Sequence, residues 1–430
     1  MKQAPARTLY ICYFGLREPL VQTQVLPYLR ELVAGGIEVY LLTFEPQLSE
    51  RWTRDDVESA QAQLAVEGIR WFQLAYHKRP SLPATLYDIA AGARLAARLV
   101  RSEQIAVIHG RSHVAAMMGA LAKRRSGAKL LFDIRGFMPE EYVDAGVWPA
   151  GGYLYRLAKA GERKLLRAAD GFVVLTEQAR RILFPESDAK ESAARPVEVI
   201  PCCVDTKRFR AADALSRDEV RSELNVSERR VFVYVGALGG WYLTEEMAEF
   251  LAVAHRQDER TFSLVLTQSP PSMIAEQLRR RGVREQDCLI TKAAPSEIPR
   301  YLKAADVGLS FIKPCYSKLS SSPTKIAEYL ASGLPVICNA GIGDLDEQIA
   351  TDSVGIIIRE FNDGAYKQAL AALEELGRDE QIAERCKESA RLRFDLEQVG
   401  GERYRRLYRK LLKQPELTER LSEVMRERES

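Results

Sequence analysis

The 430-residue chain has no C-x-x-C pair, so no zinc site of that pattern is expected. No window approaches 18 uninterrupted apolar residues and no apolar h-region opens the sequence, so neither a membrane-spanning helix nor a secretory signal is expected. Net charge is also scarce. The 62 Lys and Arg against 59 Asp and Glu leave +3, and the aromatics do not interleave with a basic stripe, which gives no reason to invoke nucleic acid. G-x-G-x-x-G and the Walker pattern are both missing, which disfavours an NAD enzyme. The seven cysteines (Cys12, Cys202, Cys203, Cys288, Cys315, Cys338 and Cys386) are odd in number and scattered. Several lie inside apolar runs, which reads as buried thiols in a reducing compartment and a cytosolic protein.

What is present is ordinary globular composition, 46% apolar and 28% charged, on a chain too long for one compact core. Two or three domains are expected. Short β-branched runs alternate with amphipathic stretches. A first series of candidate strands is Leu9–Phe14, Ile37–Thr43, Ile69–Leu74, Ile105–His109, Lys129–Ile134, Phe172–Leu175 and Val197–Ile200. A second is Val231–Val235, Phe262–Leu266, Cys288–Thr291, Val307–Ile312, Val336–Cys338 and Gly355–Ile358. Helices such as Val21–Ala34, Tyr87–Arg101 and Glu245–His255 fall between them. Nearly continuous apolar strands alternating with helices predict an α/β fold of two doubly wound, Rossmann-like domains with parallel sheets. The polar stretch Asp205–Arg230 is the natural break.

From about Phe394 onward the chain is charged and helical, with Tyr404, Leu407, Tyr408 and Leu411 at helical spacing among Arg403, Arg405, Arg406, Arg409 and Lys410. Arg156–Arg167, with Leu157, Leu165 and Leu166, is similar. Each stretch either packs its apolar stripe on the protein or lies on an anionic membrane surface.

One segment breaks a local rule. Ser320-Ser-Ser-Pro-Thr-Lys-Ile-Ala-Glu328 leads to Gly333-Leu-Pro-Val-Ile-Cys338, a short helix followed by a buried strand. Ser322 reads as the N-cap and Pro323 as the first helical residue. Lys325 then sits in the first turn, where the helix dipole disfavours a cation by about 0.3–1 kcal/mol. A bound diphosphate over the exposed N–H groups would account for it, with Glu328 on the same face to receive sugar hydroxyls. An ordinary Lys325–Glu328 salt bridge is the competing reading.

Ligands of open α/β sheets bind beyond the carboxyl ends of strands, and other unusual residues stand there. In Asp133-Ile-Arg135-Gly136, Arg135 either grips a phosphate or pairs with Asp133 or Glu141. His109 either donates to a sugar hydroxyl or is a satisfied core histidine. Gly236, in Tyr234-Val-Gly236-Ala-Leu-Gly239-Gly240-Trp241-Tyr242, allows a ligand close to the backbone. Asp344-Leu-Asp346 has metal-site form, although helix capping is the more common reason for such a pair.

Three ordered segments carry a resemblance: Val199-Ile-Pro201-Cys-Cys-Val204-Asp205-Thr-Lys-Arg-Phe209, Ala305-Asp306 through Lys313-Pro314, and Glu328-Tyr-Leu-Ala-Ser-Gly-Leu-Pro-Val-Ile. With them the chain resembles the family 4 retaining glycosyltransferases of GT-B fold, those of bacterial capsule, exopolysaccharide or O-antigen assembly in particular. The resemblance implies an acceptor domain at 1–207, completed by a C-terminal helix at about 405–430, and a nucleotide-sugar domain at 208–404, facing a central cleft. Glu328 matches the family's ribose-binding glutamate. The family's sugar-binding glutamate is Ser320 here, and its two diphosphate-binding cations fall near Ala237 and Leu243. The glycine pair after the first strand appears as Pro19-Leu20, followed by Gln22 and Thr23.

The implied reaction is metal-independent transfer of a sugar from a nucleotide-diphosphate donor to an acceptor hydroxyl, with retained configuration. Lys325 and Arg135 replace the missing cations as catalytic groups. Ser320, Ser321, Ser322, Thr324 and Gly236 line the donor site, and Lys292 and Lys313 stand near the base. His109, Asp133 and Gln22 are the acceptor-side candidates. No cofactor is expected beyond a UDP- or GDP-linked substrate, and the partners are that nucleotide sugar and a glycan or lipid-linked acceptor. Location is expected to be cytoplasmic, with peripheral contact to the inner membrane surface left open. A nucleotide-sugar 2-epimerase and a non-catalytic scaffold of the same fold are the alternatives.

Overall fold

The computed structural model describes residues 6–124, 126–185 and 195–412. All thirteen expected strands form, in two separate parallel sheets. The first holds β1 (Arg7–Cys12), β2 (Glu38–Pro46), β3 (Ile69–Tyr76), β4 (Val107–Arg111), β5 (Lys129–Asp133), β6 (Gly171–Val174) and β7 (Val197–Val199), in the order β3-β2-β1-β4-β5-β6-β7. The second holds β8 (Arg230–Val235), β9 (Thr261–Leu266), β10 (Cys288–Thr291), β11 (Val307–Ser310), β12 (Val336–Asn339) and β13 (Gly355–Ile358), in the order β10-β9-β8-β11-β12-β13. Each order reverses once, between β1 and β4 and between β8 and β11, so each sheet has a switch point where flanking loops diverge.

The chain divides into two compact units, one running to Ile200 and resuming at Val399, the other Pro201–Gln398. The division falls at Pro201 rather than after residue 207, and the return falls at Val399 rather than near 405. Val204 is the reason for the first shift: its N–H donates to Phe394 O and its carbonyl accepts from Leu396 N, within the second unit.

In the first unit the C-terminal helix Glu402–Leu412 buries Tyr404, Leu407, Tyr408 and Leu411. Its cations are taken up by carboxylates: Arg406 and Lys410 by Glu198, and Arg405 by Glu31 and Glu402. The packing reading therefore holds for residues 402–412. The rest of the expected helix, to residue 430, lies outside the described residues. The predicted helix Val21–Ala34 is instead two, Pro19–Gln24 and Leu26–Ala34, because Pro27 cannot donate to the preceding turn.

In the second unit, Asp306 explains one recurrent segment. It accepts from Val231 N and pairs with Arg217 and Arg221, tying the start of β11 to β8. Core side chains cover both faces of this sheet, with Tyr329, Phe232 and Phe250 fully buried. Burial of each such side chain is worth about 1.5–3 kcal/mol. All seven cysteines are free, and five are buried.

Candidate functional site

The site begins with the order of the second sheet. β8 and β11 are neighbours at the switch point, so the loop after β8 and the helix after β11 meet above their carboxyl ends. That helix is Thr324–Ala331. Tyr329 locks it there: its hydroxyl donates to Leu309 O at 3.1 Å and accepts from Val235 N at 2.8 Å. Gly308 makes the approach feasible, since a Cβ there would lie 2.3 Å from the Tyr329 ring.

The helix start differs from the expectation. Pro323 is the N-cap and Thr324 the first helical residue, with no side-chain cap and no acidic residue in the first turn. Ser322 does not cap because its hydroxyl accepts from Cys202 N at 3.1 Å. The amide end of this helix is thus left without a carboxylate or hydroxyl of its own, as an anion site requires.

Lys325 is the central group. Its side chain is only 7% exposed, and its Nζ has no hydrogen-bond partner among the described residues. The ammonium lies 4.1 Å from the centre of the Tyr234 ring and 4.2 Å from that of Tyr242. Gly236 leaves room for it: the residue has φ +142°, and a Cβ there would stand 2.9 Å from Nζ. Burial pushes the Lys325 pKa down to about 7, against a smaller upward pull from Glu328.

Glu328 is one helical turn further on. Its carboxylate is paired with Arg208 at 3.5 Å rather than with Lys325. Burial raises its pKa to about 7, opposed by Arg208 and Lys325. The ordinary salt bridge between Lys325 and Glu328 is therefore not the arrangement found. Arg208 is delivered by a short helix that Asp205 caps, accepting from Lys207 N and Arg208 N. Its Nε is buried without a partner among the described residues.

The remaining donor-side candidates are dispersed. Ser320 is buried and its hydroxyl is spent on Ser317 O at 2.7 Å. Ser321 and Thr324 are half-buried beside the helix start. Lys313 is exposed after β11, with its N–H donating to Trp241 O at 2.8 Å. Lys292 is exposed after β10, at the sheet edge and two strands from β8. It does not join the Lys325 cluster. Asp346 accepts from Gly341 N, a local structural role, and no group of three or more His, Cys, Asp or Glu is placed to hold a metal among the described residues.

The first unit carries a second polar cluster. His109 is wholly buried: its Nδ1 is 3.0 Å from the Tyr408 hydroxyl, and its ring packs against Tyr10. Burial depresses its pKa, which disfavours the protonated imidazolium. Asp133, equally buried, accepts from Tyr404 at 3.2 Å and stands 3.5 Å from Arg135 and 3.6 Å from Arg111 and His109. Burial would raise its pKa, but Arg135, the His109 imidazole and Arg111 hold it well below the carboxylate range. His109 and Asp133 thus do not present themselves to an acceptor. They form a buried scaffold behind Arg135, whose side chain is 10% exposed. Gln22 is exposed on the helix Pro19–Gln24 and its amide donates to Leu16 O, apart from that scaffold.

Sequence reasoning missed Arg208, Tyr234 and Tyr242. Tyr242 stood in the glycine-rich segment already singled out, and Arg208 in the segment ending at Phe209, but neither spacing pointed to Lys325 or Glu328.

Comparison with known proteins bears on both units. Residues 21–203 match the family model of a glycosyl transferase 4-like domain, and residues 216–393 match that of glycosyl transferases group 1. The chain is 22% identical over 387 residues to a D-inositol 3-phosphate glycosyltransferase of Salinispora tropica, covering 83% of this chain and 78% of that one. Among solved structures it is similar to a glycosyltransferase from Rickettsia africae, with TM-score 0.71 and 15% identity over 96% of this chain and 100% of that one. It is likewise similar to Anabaena HepE in complex with UDP and glucose, with TM-score 0.64 and 15% identity over 94% and 99%.

Proposed function

The chain is a glycosyltransferase of the two-domain GT-B fold, and from that premise we propose that it moves a sugar from a UDP- or GDP-linked donor to an acceptor hydroxyl, with retained configuration. The observation that carries this reading is the buried Lys325 ammonium, without a hydrogen-bond partner among the described residues, at the switch point of the second sheet. A cation without a carboxylate of its own, beside an uncapped helix start, is complementary to a diphosphate.

In this reading the diphosphate sits over the helix start, with Ser321 and Ser322 just before it and Thr324 in the first turn, and Gly236 lets it approach the end of β8. Lys325 neutralises the charge that grows on the leaving diphosphate as the glycosidic bond breaks, a task given to an ammonium and helix amides rather than to a divalent ion. Glu328, aligned by Arg208, accepts the ribose hydroxyls. Arg135, braced by Asp133, is the N-terminal unit's own candidate cation, and that unit takes the acceptor. We take the acceptor to be a bacterial surface glycan or glycoconjugate, a reading supported by the resemblance of the three sequence segments to polysaccharide-assembly transferases. No cofactor beyond the nucleotide sugar enters the scheme.

A thermal-shift screen against UDP, GDP, ADP and CMP tests the reading. One or both of UDP and GDP should raise the melting temperature, by about 2.7 kcal/mol of added stability at a hundredfold excess over Kd. No response to any nucleotide would point to a non-catalytic scaffold. For Lys325→Ala the fall in turnover should exceed any rise in donor KM, because leaving-group charge is largest in the transition state.

A further inference from the structure

The two basic helical stretches of the sequence have different fates. In Glu402–Leu412 the apolar stripe is buried and the cations Arg405, Arg406 and Lys410 meet carboxylates. In the helix Tyr153–Ala168 the opposite holds. Its inward face carries Leu165 and Glu162, and Glu162 pairs there with Lys159 and His113. Its outward face keeps apolar and basic groups in solvent.

Tyr153 is 79% exposed and Leu157, one turn on, is 48% exposed. Leu154 is exposed beside them. The preceding loop carries Val147, 62% exposed, next to Trp148 and Pro149. Tyr142 stacks on Trp148 with ring centres 4.3 Å apart, which stiffens the base of that loop. Helical geometry puts Lys164 and Arg167 in line with Tyr153 and Leu157, with Arg156 and Arg163 along one flank. Among the described residues none of these four cations forms an ion pair, and all four are exposed. The only acidic residue of the helix, Glu162, is the one turned inward.

We propose that this outward face, from Val147 through Arg167, docks the protein on an anionic lipid bilayer. Apolar groups at one end and cations without carboxylate partners along the rest match a surface that is apolar beneath an anionic layer. Tyr153, Leu154, Leu157 and Val147 would enter the interface, and Arg156, Arg163, Lys164 and Arg167 would face the lipid phosphates. Among the described residues that face has no carboxylate of its own to oppose the charge.

Vesicle cosedimentation of the full chain tests the proposal, using phosphatidylglycerol–phosphatidylcholine vesicles against pure phosphatidylcholine. Partitioning should be at least tenfold stronger on the anionic vesicles and should fall steeply with salt. R163E/K164E should lose at least tenfold in partitioning, and the milder R163Q/K164Q a smaller but measurable part. Y153S/L157S should weaken binding at all salt concentrations. Each variant should melt with the wild type, since none of these side chains is buried. Three results would overturn the proposal: equal partitioning to neutral and anionic vesicles, unchanged binding by R163E/K164E, or a wild-type dimer that Y153S/L157S converts to monomer.

Discussion

Replacing Lys325 by methionine should make the protein more stable while disabling the proposed nucleotide site. Burial drives the Lys325 pKa from 10.5 to about 7. A shift of that size corresponds to roughly 5 kcal/mol of penalty on the charged form. The contacts with the Tyr234 and Tyr242 rings return about 1–2 kcal/mol each. A net cost of about 1–3 kcal/mol remains at pH 7, and methionine, similar in length and uncharged, removes it. The sign with pH follows from the depressed pKa. The cost is absent above pH 10.5 and grows as pH falls towards 7, so the gain from Lys325→Met should shrink in alkaline buffer. Paired denaturation curves at pH 7 and 10 measure it. Calorimetry should meanwhile show UDP or GDP affinity reduced at least tenfold, the worth of a lost charge-assisted contact of about 1.5–3 kcal/mol. A variant that is less stable than wild type and binds nucleotide equally well would refute this reasoning and return Lys325 to a structural role.

Other expectations follow from the same geometry. Binding of a diphosphate should load a proton onto Lys325, so affinity should fall by up to about tenfold per pH unit above 7; pH-dependent calorimetry reads this, and a flat profile from pH 7 to 9 contradicts it. Gly236→Ala places a methyl group 2.9 Å from Lys325 Nζ on a backbone of φ +142° that strains any side chain, and should weaken nucleotide binding while costing about 1–3 kcal/mol of stability. Gly308→Ala drives a methyl group into the Tyr329 ring and should cost about 1–3 kcal/mol or more in denaturant melts. Tyr404→Phe leaves Asp133 without its hydroxyl donor and should cost about 1–3 kcal/mol; a neutral result would show that Arg135 and Arg111 suffice to hold that carboxylate.

Much of the fold was legible because buried parallel strands leave continuous apolar runs, and every strand from β1 to β13 was recognised from such a run. The site was legible at one point of conflict. A lysine in a helix's first turn opposes the dipole, and the structure answers the conflict with a buried ammonium that has no hydrogen-bond partner among the described residues rather than with a salt bridge. Ser322 misled because local chemistry marks it as a cap, whereas Cys202, distant in sequence, claims its hydroxyl. Arg208 and the Tyr234–Tyr242 pair were invisible because their relation to Lys325 and Glu328 comes from sheet order, not spacing. His109 looked available at a strand end, but the C-terminal helix, some three hundred residues away, covers it through Tyr408.

One titration tests most directly whether Lys325 and Glu328 form the proposed nucleoside-diphosphate site. Calorimetry of UDP and GDP into wild type and Glu328→Ala should show a single site per chain for at least one nucleotide, with affinity 10- to 100-fold weaker in the variant, about 1.4–2.7 kcal/mol. Equal affinity in the two proteins, or no binding of either nucleotide by wild type, would contradict the account.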